Sequence, residues 1–231
     1  MTVGEPLTLA HAADAMARVK ELAPEVLWLD LDYGVLVTRY VPGTNWEQQL
    51  LAGKIDARTF AIAGASLRGI HEISPGTSDY PDHILPLPAG RVPFEADTSV
   101  AHLHERLRTC GRSLLHGDFN PRHVVITPDR RLTVARWSSV ALGSTLSDVA
   151  QLLASLLLRS HLQPYTEDWY IDAGRAFLSA YGDTDQTLLP SLVGVELLAL
   201  IDRPQQLPDT TISDLTSRAI GLLSHTTPLP W

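Results

Sequence analysis

Residues 114–137, LLHGDFNPRHVVITPDRRLTVARW, constrain the fold of this chain more than any other stretch. Two short β-rich runs, Val124-Val125-Ile126 and Leu132-Thr133-Val134, flank the turn residues Pro128-Asp129-Arg130-Arg131, which predicts a β-hairpin. Directly before it, the apolar pair Leu114-Leu115 leads into the polar trio His116-Gly117-Asp118. A carboxylate carried on a loop beside a rigid hairpin is a common way to build a catalytic loop, because the scaffold fixes what the loop presents.

The rest of the chain supplies strands before this hairpin and helices around it. Residues 9–23 predict an Ala-rich helix, with Thr8 as cap and Pro24 as stop. Strands over 26–31 and 35–40 follow, joined by the turn Asp32-Tyr33-Gly34. Val41-Pro42-Gly43-Thr44 breaks the pattern as a hinge. Residues 46–51 predict a short helix and 56–71 a longer one, with Phe60, Ala63, Leu67 and Ile70 on one stripe. Five prolines and two glycines between residues 74 and 93 predict a loop, and 99–110 a helix with Leu103 and Leu107 on one face. After the hairpin come four helical segments, 147–162, 167–181, 188–201 and 212–223, the first strongly apolar, and then an extended tail. The expected division is a small strand-containing N-terminal part, residues 1–44, and a mostly helical body, residues 45–231, an α+β class.

Composition excludes several functions. A formal net charge of −8 argues against nucleic acid as a default partner, since phosphate binding needs a clustered basic face. The apolar window 149–158 is too short to span a bilayer and is interrupted by Gln151 and Ser155, so no membrane partner is expected. The single cysteine, Cys110, excludes an internal disulfide; with no basic, apolar leader at the N-terminus, a soluble cytoplasmic protein is expected. His102 and His104, two apart on a predicted helix, point to different faces, and no Cys/His cluster supports zinc. The lysines are Lys20 and Lys54 alone, and neither falls on a predicted strand.

The order of these elements resembles the aminoglycoside and small-molecule phosphotransferase family, which has a protein-kinase-like fold. GVLVTRYVPGT, residues 34–44, is similar to that family's last N-lobe strand and hinge; Leu67-Arg68-Gly69-Ile70-His71 resembles its LxxLH helix end. His116-Gly117-Asp118 resembles the catalytic triplet, whose Asp accepts the proton of the attacking hydroxyl, and Asp148 resembles an Asp that braces the catalytic loop. The resemblance begins at the family's first N-lobe helix, so a truncated N-lobe is expected. The same resemblance implies that the Pro-rich segment 74–93 lines the substrate side of the cleft, although a spacer would have the same composition.

Two departures bear on chemistry. The family places an Asn five residues after the catalytic Asp, and an Asp just before the Trp at the end of the hairpin, as metal ligands. This chain has His123 and Arg136 there. Phosphoryl transfer runs mainly on positioning and on charge neutralisation by Mg²⁺, a hard cation that prefers oxygen, so imidazole is a poor substitute and guanidinium is repulsive. No Gly-rich loop precedes the hinge strands. No cofactor is therefore expected, and binding of Mg²⁺ or ATP is doubtful on these residues.

The candidate site residues are Asp118, His123, His116 and Arg136, with Asn120, Arg122, Trp137 and Arg136 as substrate or anion contacts and Asp148 as loop brace. Asp118 is either a general base or a brace for its loop. His116 supports the loop. His123 is either a proton shuttle or packing under the hairpin. Arg136 either holds a phosphate or carboxylate bidentately in place of the cation, or closes the site by pairing with Asp118 or a neighbouring carboxylate. Three functions compete. The first is a degenerate, pseudokinase-like member that binds a small molecule, peptide or partner protein. The second is a repurposed acid/base enzyme of natural-product or modified-peptide biosynthesis, and the third an active phosphotransferase completed by a partner chain.

Overall fold

A computed structural model of the chain describes residues 1–76, 79–86, 94–161, 166–185, 187–202 and 207–231, without side chains for 94–99 and 167. The first body is a small antiparallel sheet backed by a helix. Strands β1 (Thr2–Val3), β2 (Val26–Asp30) and β3 (Val35–Thr38) run in the order β1-β3-β2. The expected turn joins β2 to β3, with Gly34 at φ +60°, the left-handed region that glycine enters without steric cost. Helix α1 (Pro6–Val19) buries Leu9, Ala12, Ala15, Met16 and Val19 along one stripe, against β2 and β3 and against a turn at residues 137–139. It starts earlier than Thr8 because Pro6 occupies the first turn, where a missing N–H is harmless.

The hinge is hydrogen-bonded to the hairpin. Strand β4 (Thr44–Asn45) pairs with β6 (Val124–Ile126), which pairs in turn with β7 (Leu132–Val134). A Cβ on Gly43 would lie 2.4 Å from the Ile126 carbonyl oxygen, so only glycine allows this approach. Asn45 then caps helix α2 (Trp46–Leu51) by accepting from Glu47 N at 2.9 Å, and its amide donates to the Arg122 carbonyl at 2.5 Å. One side chain thus joins the hinge, α2 and the segment entering the hairpin.

Helix α3 (Ala57–His71) is capped by Asp56, whose carboxylate accepts from Thr59 N at 3.0 Å. It packs on α6 (Glu167–Tyr181), and at the crossing a Cβ on Gly64 would lie 2.3 Å from the Phe177 carbonyl. Helix α4 (Phe94–Arg108) begins five residues before the expected start. Helix α5 (Leu146–Ser160) is buried on almost every side, because α6 and α7 (Leu189–Asp202) both pack on it; α8 (Asp209–Leu223) covers α7. Each fully buried Leu in this layer contributes about 1.5–3 kcal/mol relative to exposure.

A further pair of strands, β5 (Ser113–Leu115) and β8 (Ala141–Gly143), brackets the loop of His116-Gly117-Asp118. The described part of the Pro-rich segment is anchored to it: His83 N donates to the Leu142 carbonyl and Leu142 N to the Pro81 carbonyl, both at 2.8 Å. Residues 77–78 and 87–93 of that segment lie outside the described residues. Among the described residues no helix is long and apolar enough to cross a membrane.

Candidate functional site

The loop 116–120 is held by a buried carboxylate. Asp148, in the first turn of α5, is fully buried; its Oδ2 accepts from His116 N at 2.8 Å and its Oδ1 from Gly117 N at 2.9 Å. His71 Nε2 lies 3.0 Å from Oδ2, and His71 Nδ1 lies 2.8 Å from the Tyr181 hydroxyl. Burial pushes the Asp148 carboxyl up, but the hydrogen bond and charge of His71, with the His116 amide, outweigh it and hold the group below the usual carboxylate range. The final His of the LxxLH stretch is therefore the carboxylate's partner.

One turn further along α5, Gln151 grips the same loop from both sides. Its Oε1 accepts from Phe119 N at 2.9 Å and its Nε2 donates to the Gly117 carbonyl at 3.1 Å. Gly117 sits at φ +77°, where a Cβ would lie 1.9 Å from the Ser139 carbonyl oxygen. His116 is fully buried; Asp118 N donates to its Nδ1 at 3.3 Å, and its Nε2 donates to the Ala135 carbonyl at 2.9 Å. That pattern assigns the neutral Nε2–H tautomer, and burial lowers the pKa of the ring, which agrees with it. Trp137 stacks edge-on against His116 with ring centroids 4.8 Å apart, and its indole N–H donates to the Val134 carbonyl at 2.8 Å. At 1% exposure Trp137 is a core support beneath the loop; as an anion contact it has no donor left to offer.

Asp118 itself stays partly accessible, with its side chain 30% exposed. Asn120 Nδ2 donates to its Oδ1 at 2.7 Å, while Asn120 Oδ1 accepts from Arg122 N at 3.0 Å. His123, buried at the end of a short 3-10 turn, sets Nδ1 2.9 Å from the Asp118 carbonyl and 3.3 Å from its carboxylate Oδ2. The structure thus brings Asp118, Asn120 and His123 together.

Arg136 takes the left-handed conformation, φ 62° and ψ 57°, directly before the turn at Trp137–Ser139. Non-glycine residues in this region carry strain of about 1–2 kcal/mol, a feature that clusters at functional sites. Its side chain is exposed, and among the described residues it forms no ion pair with Asp118 or any other carboxylate. It faces a cavity of about 220 Å³ together with Asp118, Asn120, Arg122, His123 and Arg159.

The electrostatics beneath this cavity were not visible in the sequence. Glu47 of α2 is shared by Arg122, whose Nε lies 3.3 Å from its Oε1, and by Arg159 of α5, which approaches the same oxygen. A second cavity of about 190 Å³ shares Asp118, Asn120, Ser155 and Leu200 with the first. It adds His83, Ile84, Pro86, Gln151 and the buried carboxylate of Glu196. The Pro-rich segment therefore lines the cleft beside Asp118, through His83, Ile84 and Pro86 of its described part. Burial lowers the pKa of His83, against the pull of Asp148.

The donor set does not fit a magnesium ion. The two positions that would add oxygen ligands beside Asp118 carry an imidazole and a guanidinium, and Asn120 turns its amide nitrogen toward the carboxylate. Among the described residues no group of three His, Cys, Asp or Glu side chains is arranged to hold a metal.

A sequence model of the phosphotransferase enzyme family matches residues 5–193, most of the chain. The chain belongs to that family. Solved structures share its fold at low identity. A choline/ethanolamine kinase family protein from Mesorhizobium loti superposes with a TM-score of 0.61 at 19% identity, over 96% of this chain and 80% of that one. An aminoglycoside phosphotransferase from Streptomyces rimosus, solved with ADP and streptomycin, gives 0.63 at 16% identity over 84% and 82%. An amicoumacin kinase, solved with AMP-PNP and Ca²⁺, gives 0.64 at 11% over 95% and 78%. No curated protein sequence matches the chain. The kinase-like architecture expected from residues 34–44, 67–71, 116–118 and 148 is thus the observed one, with its small sheet-containing N-terminal region and mostly helical remainder.

Proposed function

We propose that this phosphotransferase-family chain does not transfer phosphate from Mg-ATP on its own and instead binds a small molecule or peptide in the cleft beside Asp118. One observation carries the reading: Arg136, at the position where the family's reaction needs a metal-binding carboxylate, is unpaired among the described residues and lines the cavity next to Asp118. A fixed guanidinium there repels a divalent cation, and His123 directs its Nδ1 toward Asp118 and offers no oxygen. The loop is nevertheless kept rigid by Asp148 and Gln151, which suits a retained binding platform. The single cysteine, Cys110, fits a reducing compartment such as the cytoplasm.

A second reading rests on the Asp118–His123 contact. A carboxylate 3.3 Å from a buried imidazole can pass a proton to or from a bound substrate, with Arg136 stabilising a developing anion. Such chemistry suits an addition or cyclisation step in natural-product or modified-peptide biosynthesis. The two readings part on Asp118→Asn, which leaves ligand affinity within a few-fold under the first and abolishes turnover under the second. Both are tested against Mg-ATP by chromatographic detection of ADP from the purified chain. No ADP above the blank is expected, and metal-dependent ADP formation that Asp118→Asn removes would overturn both.

A further inference from the structure

We infer that the chamber beside Asp118 lined by Arg122, Arg136 and Arg159 holds a phosphate-type anion directly, without a metal ion, and that the ligand is a phosphorylated small molecule. This deepens the reading above and rests on it. The three guanidiniums come from separate elements: the turn before β6, the end of the hairpin and the last turn of α5. They converge on one cavity of about 220 Å³.

Arg159 supplies the second observation. It is 8% exposed, and although one terminal nitrogen pairs with Glu47, its Nε is buried with no hydrogen-bond partner. A buried donor left unsatisfied costs about 1–3 kcal/mol, a cost carried here by a residue that lines the cavity. Arg136, strained and without a partner among the described residues, offers a second free fork. The charges do not cancel: three arginines face Asp118 in the lining and Glu47 beneath it, which leaves the chamber net positive. A dianion answers several guanidinium forks at once, whereas a single carboxylate answers one.

Size restricts the ligand further. Drug-sized ligands occupy pockets of about 300–1,000 Å³, so the arginine chamber alone admits only a small group. The adjoining 190 Å³ cavity, entered past Asp118 and Asn120, gives the organic part of the molecule a place to lie against Ile84, Pro86 and Leu200. Glu196 in that second cavity disfavours a second phosphate there and so fixes which end goes where.

The test is calorimetric titration of the full chain in excess EDTA with pyrophosphate, inorganic phosphate, glycerol phosphate and acetate. Saturable binding of glycerol phosphate is expected, tighter than inorganic phosphate, unchanged by added Mg²⁺, and negligible for acetate. Arg136→Gly should weaken it by about tenfold or more, which is roughly 1.4 kcal/mol, while its melting temperature confirms a folded chain. Arg122→Gln, at an exposed position, serves as the independent second variant and should weaken it several-fold. The inference is overturned by no heat with any phosphate up to millimolar concentration, by binding that requires Mg²⁺, or by undiminished binding in Arg136→Gly. Equal affinity for pyrophosphate and glycerol phosphate would overturn the organic subsite. ADP formation from Mg-ATP would sink the underlying reading; its absence together with absent phosphate binding would sink this inference alone.

Discussion

Replacing Asp148 with Asn tests how the loop of His116-Gly117-Asp118 is held. The fully buried carboxylate accepts two backbone N–H bonds, one on each oxygen, from buried His116 and part-buried Gly117, and faces His71 at 3.0 Å. An amide keeps the shape but has one acceptor oxygen, so one of the two N–H groups must face an NH₂ donor. An orphaned buried N–H costs about 1–3 kcal/mol, and losing the charge-assisted bond to His71 adds about as much, giving roughly 2–6 kcal/mol in total. For a chain of this length each kcal/mol moves the melting temperature by about 2–4 °C, so a drop of roughly 4–24 °C is expected. The sign of the pH dependence follows from the direction of the shift. The folded carboxyl lies below its unfolded value of about 3.9, so its stabilisation is present above that value and is lost as pH falls through the folded one. The gap between native chain and Asp148→Asn should close as the pH falls below about 4. Calorimetric melts of both proteins across that range measure it, and hydrogen exchange should show the 116 and 117 amides losing protection. A variant within 1 °C of the native chain at neutral pH would refute the bracing argument.

Three further outcomes follow from the same geometry. Gly117→Ala forces an L-residue into the left-handed region and drives a Cβ into the Ser139 carbonyl, so it should destabilise by more than the about 1 kcal/mol of backbone strain alone; chemical denaturation measures it. Arg136→Gly relieves strain at φ 62° and should melt about 2–4 °C higher than the native chain, although it removes a cleft charge. The double variant His123→Asn, Arg136→Asp restores oxygen donors beside Asp118 and should bind Mn²⁺ more tightly than the native chain, as titration followed by electron paramagnetic resonance would read.

Much of the scaffold was legible because it is written in local patterns. The hairpin strands 124–126 and 132–134 coincide with their β-rich runs, and the turn at Gly34 is set by the residues that make it. The strands β1, β4, β5 and β8 are two or three residues long, too short for any alternation to show. Within the site, His116, Asp118 and Asp148 were found through the motif. In the sequence Gln151 is a polar break in an apolar window, and that break is its signal: a polar side chain on a buried helix needs partners, and the loop's backbone groups are those partners. Glu47, Arg159 and Glu196 left no such mark. The Glu47–Arg159 pair joins residues 112 apart in sequence, a contact only the folded chain creates. Trp137 marked the end of the hairpin correctly, but its place as core depends on the Val134 carbonyl that accepts its N–H.

We propose that the cleft is built for an anion and against a divalent metal. It is tested most directly by Mn²⁺ binding to the native chain, read by electron paramagnetic resonance with and without ATP. The expected result is a spectrum equal to that of free Mn²⁺ or Mn-ATP at the same concentrations, unaltered by Asp118→Asn. A protein-bound Mn²⁺ signal that appears with ATP and vanishes in Asp118→Asn would contradict the account.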